Sequence, residues 1–169
     1  MAGDVIEVRA PDMLEWQGRR YRCALGRGGI VVDKREGDGG TPIGVHPLRR
    51  VLYRPDRLVM VATGLPLAML HPGDGWCDDP DDPAYNCLVP LPYPGRHERL
   101  WREDGVYDVV AVLGWNDDPP VAGRGSAIFL HVARPGYEPT EGCVALARTD
   151  LLEVLADCGP RTLMRIRGG

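Results

Sequence analysis

Backbone punctuation constrains this chain most: 22 glycines and 16 prolines stand among its 169 residues, more than one position in five. Proline locks its own backbone and removes a donor, and glycine weakens helix interiors. A bundle of long helices is therefore excluded, and the pattern predicts short strands joined by many turns. The length suits a single domain over residues 1–169, able to bury roughly 70% of its unfolded surface. Hydrophobic residues at 44% and charged residues at 26% are ordinary for a folded chain, which excludes wholesale disorder.

A formal charge of −4 gives no general electrostatic reason to bind nucleic acid. No run approaches the ~20 apolar residues of a membrane span. Residues 1–9 lack the basic start, apolar core and cleavage site of a secretory signal. Either the protein stays inside or its export segment is missing from this chain. The basic side chains are 19 arginines and one lysine, Lys34. Arginine's planar fork suits carboxylates, although a compositional habit of the source genome explains the bias as well.

Short strands are expected over 4–9, 19–26, 29–34, 49–54 and 58–64, each bounded by turn residues. Residues 37–44, GDGGTPIG, form a dense turn. The stretch 72–95 reads as one long acidic loop, a lid or binding surface. Continuous apolar runs at 107–115 and 126–133 read as central strands, followed by a short apolar run at 142–148 and a last strand at 162–167. One helix is expected from Asp150 to Asp157, opened by a capping-box-like Asp150/Glu153 pair and stopped by Gly159-Pro160. The fold class is thus β-rich α+β with a helix near the C-terminus.

Five cysteines stand at 23, 77, 87, 143 and 158, with no CxxC and so no usual zinc spacing. Cys77 and Cys87 bracket the acidic loop, and either a disulfide or two reduced thiols fits them. The aspartates at 78, 79, 81 and 82 lack calcium-loop spacing and read as a solvated lid, so no metal and no cofactor is expected.

Cys143 differs from the other cysteines. It follows Gly142 directly and lies twelve positions after His131, which is embedded in an apolar strand. A cysteine nucleophile reacts as its thiolate, so it needs a neighbouring imidazole to take its proton or hold it as an ion pair. The turn Pro139-Thr140-Glu141-Gly142 is able to return the chain beside that strand. It would also aim the N–H groups of Gly142 and Cys143 at a developing oxyanion.

Residues 126–146, SAIFLHVARPGYEPTEGCVAL, resemble the signature of the L,D-transpeptidase catalytic domain (the YkuD-type family). The positions that carry the likeness are His131, Thr140, Gly142, Cys143 and Val144. A second family element, a Gly-Asp-Gly turn leading into Thr-Pro-x-Gly, stands here with Asp38, Thr41, Pro42 and Gly44. The resemblance covers residues from about Lys34 to Asp157 and implies a single-domain sandwich or barrel-like β fold. It further implies acyl transfer on peptidoglycan stem peptides, with Cys143 as nucleophile, His131 as base, and a location in the cell envelope. Three features depart from the family pattern: Ala145 stands where an arginine is common, Glu141 where a histidine is frequent, and the spacing from His131 to Cys143 is shorter than usual.

Other candidates for the cleft are Arg124 and Arg148 for a substrate carboxylate, and His97 with Glu98. Trp76 and Tyr85 read as loop anchors. The alternatives to transpeptidation are an L,D-carboxypeptidase or amidase, and an inert module that binds wall peptides.

Overall fold

The computed structural model describes residues 4–169. Its strands are β1 (Val5–Arg9), β2 (Met13–Trp16), β3 (Arg19–Ala24), β4 (Ile30–Val31), β5 (Thr41–Pro42), β6 (Gly44–Tyr53) and β7 (Leu67–Met69). They continue as β8 (Asp74–Cys77), β9 (Leu88–Pro90), β10 (His97–Arg99), β11 (Val109–Leu113), β12 (Phe129–Val132), β13 (Val144–Leu146) and β14 (Leu163–Arg167), with α1 at Arg148–Ala156.

The main sheet runs β11-β12-β13-β3-β2-β1-β14-β6-β7. Strand β6 is ten residues long, and its two halves do different work. Its first half pairs with β14 and its second with β11, so the sheet closes on itself as a barrel-like ring. Inside lies the main core, into which Ile6, Val8, Leu130, Val144, Met164 and Ile166 project. Each such side chain contributes about 1.5–3 kcal/mol by leaving water. Helix α1 buries Leu151, Val154 and Leu155 in the same core, a spacing that places all three on one helical face.

Strands β11 to β13 are apolar on both faces, for an observable reason. Val109, Ala111 and Leu113 enter the main core, while Val110 and Val112 join a second cluster with Trp76, Tyr107 and Phe129. Over that second face lies a small sheet ordered β10-β8-β9.

The structure corrects several expectations. The stretch 72–95 is not one loop, because it contains β8 and β9. Prolines hid the strand pattern there, and Pro90 sits on an edge strand, where a missing N–H costs little. Residues 58–64 form no strand: Val59 is fully exposed, and the edge of β6 is taken instead by β7. The expected strand over 29–34 shrinks to the two residues of β4. Helix α1 starts earlier than expected, with Ala147 at its N-cap and no side-chain cap, so Asp150 lies within the first turn. There its charge still favours the helix dipole. Cys77 and Cys87 carry free thiols.

Candidate active site

Successive residues of a strand face opposite ways. With Leu130 in the main core, Phe129 and His131 turn to the second face, where the Tyr107 ring packs edge-on against His131 at 5.3 Å. Strand β13 runs parallel beside β12, with His131 opposite Ala145. One residue before β13, Cys143 emerges on that same face. Its Sγ accepts the Phe129 N–H at 3.3 Å and donates to the Ala127 carbonyl at 3.2 Å. The thiol is thus seated on the backbone of the histidine strand.

His131 Nδ1 lies 2.9 Å from the Val132 carbonyl. A carbonyl only accepts, so Nδ1 carries the proton and Nε2 keeps its lone pair. The group that orients the imidazole is therefore a backbone carbonyl. Both side chains are buried, each residue 7% exposed. Burial pushes the Cys143 thiol up to about 12 and the His131 imidazole down to about 4. At neutral pH the two are a neutral thiol and a neutral imidazole, not an ion pair.

The Thr140 side chain shapes the turn before Cys143. Thr140 Oγ1 donates to the Cys143 carbonyl at 2.7 Å and accepts the Gly142 N–H at 3.1 Å. The Gly142 donor expected for an oxyanion is therefore engaged, whereas the Cys143 N–H has no acceptor among the described residues. Gly142 has φ +137°, and a Cβ there would lie 2.8 Å from the Gly40 carbonyl oxygen. Gly40 belongs to the GDGGTPIG turn, so the two sequence elements, far apart in the chain, meet in space. Asp38 holds that turn. Burial works against its charge, but hydrogen bonds from Lys34, Arg35 N–H and Gly40 N–H outweigh it and keep the carboxyl below its usual range.

A cleft of about 480 Å³ opens over Cys143 and His131, with Lys34, Glu98, Arg102, Tyr107 and Arg134 in its walls. The Tyr107 hydroxyl donates to Glu98 at 3.1 Å, and burial pushes the Glu98 carboxyl up to about 7.

Sequence reasoning brought together four residues that the fold also brings together: His131, Thr140, Gly142 and Cys143. Three others lie outside the cleft walls. Arg124 is exposed, its carbonyl accepting the Trp115 indole N–H. Arg148 is tied to Asp108 at 3.3 Å, at the start of α1. His97 Nδ1 bonds the Gly95 carbonyl at 2.8 Å, and strand alternation sends its neighbour Glu98 into the cleft instead. Trp76 and Tyr85 are buried anchors, Trp76 packing edge-on against Phe129. The loop aspartates brace turns: Asp78 pairs with Arg96, and Asp82 accepts the Tyr93 hydroxyl. Arg102, Tyr107 and Arg134 were missed. They come from irregular segments where charge carries no period, although Arg134 stands only three residues after His131.

A family model described as YkuD, L,D-transpeptidase catalytic domain, matches residues 4–166. No curated protein sequence matches the chain. Among solved structures, the chain is similar to Mycobacterium tuberculosis L,D-transpeptidase 1 at 11% identity and a TM-score of 0.42, covering 98% of this chain and 61% of that one. It is also similar to the helical cell shape determining protein Pgp2 of Campylobacter jejuni at 15% identity and a TM-score of 0.46, covering 97% of this chain and 47% of that one. The chain thus spans less than two thirds of either structure's length.

Proposed function

From the premise that the chain belongs to the L,D-transpeptidase catalytic-domain family, we propose that it transfers acyl groups between peptidoglycan stem peptides through a thioester on Cys143. One observation carries this reading. Cys143, one residue before β13, and His131, on the parallel neighbour β12, face the same way and open into one cleft with the imidazole already fixed as the Nδ1–H tautomer.

The neutral pair sets the order of events. Cys143 Sγ attacks the carbonyl carbon between an L-centre and a following D-residue, while His131 Nε2 takes the thiol proton. Charge builds on the carbonyl oxygen, and the Cys143 N–H is the donor available to receive it. The imidazolium then gives its proton to the leaving amine, which departs and leaves the thioester. In the second half His131 takes a proton from the acceptor amine as that amine attacks, and Cys143 leaves as the thiol. Water in place of the amine turns the same cycle into hydrolysis. A wall substrate places the protein's work in the cell envelope.

The test is intact-protein mass spectrometry after mixing with a disaccharide-tetrapeptide donor. The reading expects an adduct of the donor's acyl mass, mapped to Cys143 and absent from Cys143→Ala. An adduct on another cysteine, or product formation by Cys143→Ala, overturns it.

A further inference from the structure

We propose that Arg134, backed by Arg102, is a binding site for a carboxylate of the substrate peptide at the His131 end of the cleft. The proposal rests on the acyl-transfer reading and names how the peptide is held.

Two guanidiniums share one carboxylate there. Arg102 holds Asp104 in a two-pronged grip, with Nε at 3.0 Å and a terminal nitrogen at 2.6 Å. Its hydrogen bonds hold the Asp104 carboxyl down to about 2, so that carboxylate stays charged at any working pH. Arg134 touches the same carboxylate through one nitrogen at 3.4 Å, and its side chain keeps 43% of its exposure. Among the described residues Asp104 is the one carboxylate that Arg134 contacts, through that single nitrogen, so most of its five donors remain free.

The other cationic groups of the cleft are spent. Lys34 is bound to Asp38 and the Arg35 carbonyl, and Arg96 to Asp78 and its carbonyl. Several acids in the walls are also engaged: Glu36 by Tyr85 and Ser126, Glu98 by Tyr107, and Glu141 by Arg27. A planar, charged fork with unspent donors is what a carboxylate recognises.

Occupancy of this site also bears on the base. The groups that face His131 are the cations Arg134 and Arg102, the anion Asp104, the Tyr107 ring with Glu98 behind it, and the Cys143 thiol. Arg134 and Arg102 both disfavour the imidazolium. A bound carboxylate offsets their charge, so the peptide itself makes His131 a stronger base.

The experiment compares kcat/KM for a tetrapeptide donor with its terminal carboxyl free or amidated, and for a donor amidated on a side-chain carboxyl. Wild-type protein is expected to lose about 10- to 100-fold when the recognised carboxyl is amidated, the scale of a charge-assisted hydrogen bond. Whichever amidation costs activity names the carboxylate. Arg134→Gln should start low and lose the discrimination, and Arg134→Lys should recover part of it. Equal discrimination by wild type and Arg134→Gln overturns the site. A second arm follows the His131 ring by NMR titration with N-acetyl-D-alanine or its carboxamide. The acid alone should raise the His131 midpoint, by about half a unit or more, and not in Arg134→Gln. If no peptide is turned over yet that shift appears, the acyl-transfer reading falls and the carboxylate site stands. No shift in wild type overturns the site.

Discussion

At the scale of single residues, burial leaves Cys143 and His131, the proposed nucleophile and base, both uncharged before substrate arrives. The thiol near 12 lies above its ordinary value, so the thiolate fraction grows only as pH climbs. Alkylation of Cys143 by iodoacetamide should therefore keep rising beyond pH 9, and a plateau near neutrality would mean an ion pair instead. The imidazole near 4 lies below its ordinary value, so the base form survives acidification. Substrate turnover should lose its His131 limb only as pH approaches about 4–5. His131→Ala is expected to slow turnover by roughly 10² or more, measured at saturating donor. The meeting of these two residues in one cleft was legible in the sequence, because a histidine flanked by apolar strand residues has a fixed side and the Gly142 turn returns the chain beside it. Their charge state was not, because it depends on how much protein covers them.

Among the elements, the turn Thr140–Gly142 matters most. Thr140→Val removes two hydrogen bonds that shape the Cys143 backbone, at a stability cost of about 1–2 kcal/mol. Its effect on turnover should be the larger one, read by comparing kcat with the urea midpoint. Gly142→Val places a branched side chain where φ is +137° and the Gly40 carbonyl is 2.8 Å away, so both fold and activity should suffer. The Gly-rich signature of this turn is visible in the chain, and its meeting with GDGGTPIG follows from the fold. The long apolar runs at β11 and β12 also gave themselves away as central strands, because both of their faces are covered. By contrast, 58–64 looked like a strand by composition alone, but no strand pairs with it. The sheet β10-β8-β9 was hidden by aspartates and prolines that belong to its turns and edges. The rest of the cleft wall followed no period, so Arg102, Tyr107 and Arg134 emerged only from the packing of irregular segments.

Across the whole molecule, the closed sheet makes two apolar compartments, and a buried carboxylate ties their margins together. Asp108 accepts from Arg57 at 2.8 Å and Arg148 at 3.3 Å, linking the entry of β11 to the start of α1 and to the segment after β6. Asp108→Ala removes the shared acceptor of two arginines that still reach solvent, and Arg57 keeps Glu103, so the change should cost about 1–3 kcal/mol in urea unfolding. Glu98 gives the molecule a pH signature of opposite sign to His131. Its folded carboxyl titrates near 7, above the ordinary value of 4.5, so the folded state holds an extra proton between those values. Stability from this group therefore falls as pH rises through that window. Glu98→Gln should raise the melting temperature at pH 8, with the gain vanishing toward pH 4.5. In the same window His131 acts the other way, because the unfolded chain binds its proton from about 6.5 downward while the folded chain waits until about 4.

The central claim is that the cleft over Cys143 remakes peptide bonds of the cell wall. Mass spectrometry of a disaccharide-tetrapeptide muropeptide, incubated with wild-type protein and with Cys143→Ala in parallel, addresses it directly. The account predicts a product formed by the wild type alone, with the mass of a cross-linked dimer when transfer prevails or of a trimmed tripeptide when water is the acceptor. Identical spectra from the two proteins, with wild-type Cys143 reduced and the chain folded, would contradict it.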